Sequence, residues 1–145
     1  MSSQTMEAPT EAQAEAVSFV AATAENSRFV PGRRPFFKYR DLGVAAATGG
    51  RLRAQVMSAI SGMTEPTGWH VHVCDAQFIY VLRGWVELGF ENGVRERYVT
   101  GDAVLIPGGM KHNEYATSDD VEILELSIPG PMDTRPCDAP PGAAA

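Results

Sequence analysis

Seven short β-prone runs, each closed by a turn signal, limit the architectures open to this chain. They are FFKYRDL, RLRAQVMSAI, QFIYVLRG, WVELGF, RERYVT, AVLIPGG and VEILELSI. The breaks include TGG at Thr48, TEPTG at Thr64, TGD at Thr100 and TSDD at Thr117. Branched and aromatic side chains favour strands because they pack well on a pleated, half-buried surface. Asn92-Gly93 between two such runs is a hairpin signal, since both residues tolerate the positive φ of a two-residue turn. The middle of the chain has no long helical period and no internal repeat. The fold class expected is all-β, a sandwich or barrel.

Alternation sorts the side chains by face. In RLRAQVMSAI, Leu52, Ala54, Val56, Ser58 and Ile60 share one face, and Arg51, Arg53, Gln55 and Met57 the other. In VEILELSI, Val121, Ile123, Glu125 and Ser127 oppose Glu122, Leu124, Leu126 and Ile128. A period of two does not say which face points inward, and a one-residue slip exchanges them.

The ends read differently. Residues 1–32 form a short N-terminal arm, flexible or weakly helical; TEAQAEAVSFVAAT, from Thr10, has good helix formers but a thin apolar face. VPGRRP then punctuates the chain at Val30. The barrel is expected over 33–128, and 129–145, rich in Pro, Gly and Ala, is expected to be a disordered tail. The 145 residues suffice for one domain with a core. A net charge of -6 without basic clusters argues against nucleic acid and against anionic membranes. Two cysteines, Cys74 and Cys137, make no disulfide framework. The first 27 residues lack Lys and Arg, and no apolar run reaches membrane-span length. A soluble, cytoplasmic protein is the expectation.

Chemistry concentrates in GWHVHVCDAQFIYVLRG. On an extended strand, residues two apart point to one side, so His70 and His72 present two imidazoles to one volume. That suits two neighbouring ligands on one ion, with bonds of about 2.0–2.1 Å for zinc. Two partly exposed surface histidines would give the same pattern. The third and last histidine, His112 in GDAVLIPGGMKH, weights the balance. All three lie in or beside the best β segments, and none lies in the tails.

These two segments resemble the cupin superfamily. Its first motif has H-x-H, three or four residues, a glutamate, six residues and a glycine; here His70, His72, Gln77 and Gly84 stand in that pattern. Its second motif has glycine, five residues, P-x-G, two residues, histidine, three residues and asparagine; here Gly101, Pro107, Gly109, His112 and then Ala116. The resemblance covers roughly residues 50–128. It implies a double-stranded β-helix, a jelly-roll barrel, holding one divalent transition metal (Fe, Mn, Ni, Zn, Co or Cu) on His70, His72, Gln77 and His112. The chain is also similar to small single-domain bacterial cupins with YRDLG before the barrel and SDD before the last strand, a group without an assigned reaction. Three positions depart from the pattern. Thr64 stands where the first glycine is expected, Ala116 replaces the asparagine, and Gln77 replaces the glutamate. A carboxamide is neutral and a weaker ligand than a carboxylate. With three imidazoles it leaves the ion's charge uncompensated, which strengthens Lewis acidity and draws anions. A site of three histidines without Gln77 is the alternative.

Further candidates each have a plainer reading beside them. Arg53 and Gln55 line the pocket and hold an anionic substrate, or they sit on a solvated outer face. Glu125 is a general base or the partner of a ligating histidine, or it makes an interface or surface ion pair. Met110 shapes the pocket mouth, or packs in its loop. The function implied by the resemblance is a mononuclear metal-dependent oxidoreductase, dioxygenase-like, acting on a small chelating oxygenated substrate. Alternatives are a non-redox metal lyase, isomerase or cyclase, and a small-molecule or metal sensor without turnover. Small cupins commonly pair through sheet edges and exchange an N-terminal strand. A homodimer is therefore expected, with RPFFKYRDL as the candidate segment.

Overall fold

Backbone pairing turns the β-prone runs into eleven strands among the described residues, 16–31 and 34–143, of this computed structural model. They are β1 (Arg28–Pro31), β2 (Phe37–Asp41), β3 (Arg53–Ala59), β4 (His70–Val73), β5 (Ala76–Arg83) and β6 (Trp85–Phe90). β7 (Arg95–Val99), β8 (Ala103–Pro107), β9 (His112–Thr117), β10 (Glu122–Ile128) and β11 (Asp133–Pro136) follow. One short helix, α1 (Val44–Ala47), interrupts them. The strands make two antiparallel sheets, ordered β1-β2-β3-β10-β5-β8 and β11-β4-β9-β6-β7. The expected hairpin forms: β6 and β7 pair from Trp85↔Val99 to Gly89↔Arg95 around Asn92-Gly93. The fold is the all-β jelly roll that the resemblance implies. No described helix is long and apolar enough to cross a membrane.

The structure settles which faces point inward. Met57, Ile123 and Val81 form one cross-strand row inside the first sheet. They join Phe36, Phe37, Ile79, Val86, Leu88, Phe90, Ile106 and Val121 in one buried cluster. Each such side chain contributes about 1.5–3 kcal/mol through burial, which makes this end of the barrel the stable one. The next row toward the other end is Gln55, Glu125 and Ile79, and the one after it Arg53, Ser127, Gln77 and Ile106. One set of strands thus passes from an apolar floor to a polar mouth.

Two expectations at the ends are corrected. The possible helix from Thr10 lies partly outside the described residues; within them, 16–27 form neither helix nor strand. Phe19 is 94% exposed, consistent with an apolar face too thin to dock a helix. The arm instead contributes β1, which pairs with β2 over four residues and uses backbone bonds that need no side-chain pattern. Residues 129–145 are not simply tail. β11 pairs with β4 from Asp133↔Val73 to Pro136↔His70. β4 meets β9 on one edge, at His70↔His112, and takes β11 on the other. Strand pairing therefore continues outside 33–128 at both ends, through β1 and β11.

Candidate metal centre

The motif HVHV forms β4, and its period of two turns His70 and His72 inward, both buried. β4 ends at Val73, Cys74-Asp75 make a bend, and Gln77 opens the inner face of β5. The Pro107-Gly108-Gly109 turn folds against that bend. Gly108 N–H donates to the Asp75 carbonyl at 2.9 Å and Gly109 N–H to the His72 carbonyl at 3.0 Å. A Cβ on Gly108 would overlap the Cys74 carbonyl, so only glycine lets the second segment approach the first. Three residues later β9 begins at His112, 1% exposed and directly opposite His70.

The three imidazoles meet in one volume. Ring centroids lie 4.3 Å apart for His70 and His112, 4.7 Å for His72 and His112, and 5.2 Å for His70 and His72. One ring nitrogen from each histidine lies within 4.8 Å of the others. His70 Nδ1 meets the Gly68 carbonyl at 2.7 Å and His112 Nδ1 the Met110 carbonyl at 2.9 Å. Carbonyl oxygens only accept, so both rings carry their proton on Nδ1 and keep a lone pair on Nε2. His72 Nδ1 is 2.8 Å from the Thr134 hydroxyl. His72 Nε2 and His112 Nε2 are 3.1 Å apart. Bonds of about 2.0–2.1 Å to one ion place neighbouring nitrogens about 3 Å apart, so the donor set fits a divalent transition metal. Burial pushes the His112 pKa below its ordinary 6.5, partly opposed by the Met110 carbonyl, and keeps the ring neutral as ligation requires.

A cavity of about 180 Å³ opens beside the cluster. Its walls include His72, Gln77, Arg53, Gln55 and Glu125. The structure thus brings Gln77, Arg53, Gln55 and Glu125 to the histidines. Gln77 is 6% exposed and also borders His112. Gln55 Nε2 donates to Glu125 Oε2 at 3.0 Å across their strand pair. Met110 is the exception. It packs against the hydrophobic core and is not among the residues that line the cavity.

Sequence reading missed five further wall residues, Val30, Tyr39, Glu114, Met132 and Thr134. Glu114 had a usable signal: it stands two residues after His112 on a strand and so shares its face. Met132 and Thr134 had none, since they lie in the segment taken for a tail. Glu114 changes the electrostatic picture. The neutral donor set does not stand alone, because two carboxylates, Glu114 and Glu125, line the adjoining space. Asn113, fully buried, accepts from Gly68 N–H at 3.0 Å and so braces the carbonyl that orients His70. Burial, then the Asp75 charge, raises the Cys74 pKa against the opposing pull of Arg53, which keeps the thiol protonated.

Comparison with known proteins places these observations. The cupin-domain family model, Cupin_2, matches residues 60–128, which carry all three histidines and Gln77. Curated proteins yield no match. Among solved structures, KdgF from Halomonas sp. is 21% identical with a TM-score of 0.64, covering 77% of this chain and 94% of that one. The polyketide cyclase RemF from Streptomyces resistomycificus is 19% identical with a TM-score of 0.67, covering 85% and 88%. An RmlC-like cupin from Shewanella frigidimarina is 18% identical with a TM-score of 0.60, covering 77% and 92%. At these identities the likeness carries the fold alone.

Proposed function

The chain belongs to the cupin superfamily, and from that premise we propose that His70, His72 and His112, with Gln77, hold one divalent transition metal for an oxidoreductase reaction of dioxygenase type. The observation that carries this reading is the buried convergence of three imidazoles, two with their lone pairs fixed on Nε2, beside a cavity sized for a small molecule. Such an ion, when bound, supplies Lewis acidity and, if redox-active, electron exchange with dioxygen. The chain's own groups do the rest. Arg53 takes an acidic group of the substrate through its planar pair of donors. Gln55 holds the Glu125 carboxylate toward the cavity, where it accepts a proton from a substrate hydroxyl or α-carbon. The apolar floor of Met57, Val81 and Ile123 excludes water from below. The substrate class is a small oxygenated acid whose oxygens chelate.

A second reading, a non-redox lyase, isomerase or cyclase, draws support from Glu114 and Glu125. Two carboxylates beside a Lewis acid suit proton transfer without an oxidant. The fold likeness to a protein described as a polyketide cyclase is consistent with it. We also propose a homodimer in the cytoplasm. Tyr80, Leu82 and Leu105 expose apolar surface on the outer face of the first sheet. The candidate exchange segment, as β2, pairs on both sides within its own chain, which leaves β1 as the sheet edge.

Metal analysis of protein expressed without added metal is the first test, followed by oxygen electrode traces with diketone and catechol-like acids. Iron, manganese, nickel or copper with oxygen uptake supports the first reading. Zinc without uptake supports the second. Wild-type protein that holds no metal, indistinguishable from a His70→Ala, His112→Ala variant, defeats both.

A further inference from the structure

Strand β11 lies beyond the matched residues 60–128, yet it enters the metal centre. Thr134 stands directly opposite His72 in the β4–β11 pair, and its Oγ1 is 2.8 Å from His72 Nδ1. Thr134 lines the substrate cavity and also a hollow of about 170 Å³ on the His70 side. The strand is pinned at both ends. Gly130 N–H donates to the Gly50 carbonyl at 2.7 Å, an approach that a Cβ at 130, 2.9 Å from that oxygen, would obstruct. Cys137 N–H donates to the Trp69 carbonyl at 3.0 Å.

We propose that Thr134 is the positioning residue for His72, and that its hydroxyl allows this one imidazole to hold either tautomer. The inference rests on reading the histidine cluster as a metal centre. The reasoning starts from the partners. His70 and His112 face carbonyls, which accept and never donate, so each is held with its proton on Nδ1. Among the described residues, His72 is the one of the three whose Nδ1 faces a hydroxyl, which does both. Its Nε2 lies 3.1 Å from His112 Nε2. Two lone pairs at that distance repel unless a cation or a proton stands between them. With a metal ion there, His72 carries its proton on Nδ1 and donates to Thr134 Oγ1. With a proton there, His72 carries it on Nε2 and donates to His112 Nε2, while the Thr134 hydroxyl turns and donates to His72 Nδ1. The exchange removes one proton from Nε2 and adds one to Nδ1. The ring stays neutral throughout, and the open cavity supplies the solvent route. A carbonyl in place of the hydroxyl would serve only the first state, and a methyl neither.

The test uses the full chain as wild type, Thr134→Ser and Thr134→Val. Imidazole 15N spectra at about pH 8, where free histidines are neutral, report tautomers in chelator-stripped and zinc-loaded protein. Competition against a chromogenic chelator reports the zinc dissociation constant. Stripped wild type should show His72 protonated on Nε2 and the other two on Nδ1, and zinc should bring all three to Nδ1. Thr134→Val should weaken zinc binding by about 10–100-fold, and Thr134→Ser should stay within about threefold of wild type. His72 already protonated on Nδ1 in stripped wild type overturns the tautomer assignment. A folded Thr134→Val with wild-type zinc affinity overturns the positioning role. If the valine variant does not fold, the wild-type spectra and the serine variant decide. Wild type that binds no divalent ion overturns the metal reading instead, and the stripped tautomers alone then judge Thr134.

Discussion

Replacing Gln77 with glutamate should move the metal-free and metal-loaded proteins in opposite directions. Gln77 is 6% exposed, paired across strands with Ser127 and Ile106, and shares a cavity wall with His72, Glu114 and Glu125. Without metal, a new carboxylate there loses water and meets two like charges. Unit charges roughly 6–8 Å apart repel by about 2–3 kcal/mol at an effective dielectric of 20. Desolvation adds to that, but protonation sets a ceiling. Taking up a proton at pH 7 from an ordinary carboxyl of about 4.3 costs about 3.7 kcal/mol. The metal-free variant should therefore lose about 2–4 kcal/mol, or roughly 5–15 °C in Tm for a domain of this size. With metal, a carboxylate replaces a carboxamide next to a dication, and the dissociation constant should fall at least tenfold, about 1.4 kcal/mol. Calorimetric scans in excess chelator and in excess zinc, with chelator competition for affinity, read both arms. Affinity within threefold of wild type, alongside the metal-free loss, would place Gln77 in the wall and not on the ion. No change in either arm would refute the placement itself.

Three further outcomes follow from the geometry. Gly108→Ala should destabilise the fold by more than about 3 kcal/mol in urea titrations, because the Cys74 carbonyl occupies the space of the new methyl. Acidification should weaken the metal-free fold. His112 has its folded pKa lowered by burial, so the stability it confers is present above 6.5 and is lost as pH falls through 6.5 toward the lower folded value. Denaturation midpoints flat between pH 8 and pH 5 would contradict that. Arg53→Ala should weaken the thermal shift produced by small carboxylic acids about tenfold or more in concentration, with little change in zinc affinity. Equal loss of both would mean that Arg53 supports the metal end rather than the substrate.

How much was readable depends on whether a feature is local. The hairpin at Asn92-Gly93 and the alternation on β3 and β10 are local, and both hold. The inward face could not be chosen from β3 or β10 alone, because each has a usable apolar and polar residue on both faces. Pairing decides it: Ile123 meets Met57 and Val81, and the same register brings Glu125 to Gln55. The histidines were legible because two sit at strand period and the third follows a glycine turn. β1 and β11 were not, since an edge strand of four residues is stabilised by a neighbour's open backbone, which leaves little trace in its own sequence. RFVP and DTRP carry no alternation to detect. Thr134 was hidden for the same reason.

The glutamine at 77 takes on a different meaning once Glu114 and Glu125 are located. At first it leaves a dication without a counter-charge. In the barrel the acids are present but displaced, on β9 and β10, in walls that the cavity reaches. A carboxylate bound to an ion is a poor base, because the ion holds its electrons. In the proposed site, Glu125 is held by Gln55 rather than by the ion, which makes it the candidate base. Among the described wall residues, the proposed dication, two glutamate carboxylates and the Arg53 guanidinium sum to one net positive charge. A monoanionic substrate cancels that charge, whereas a dianion or a neutral ester leaves a buried imbalance. Saturation binding to the zinc-loaded protein should therefore rank a small hydroxy monoacid above both its methyl ester and the matching diacid. A diacid that binds tightest would mean that one of the two glutamates is protonated or points away from the ion.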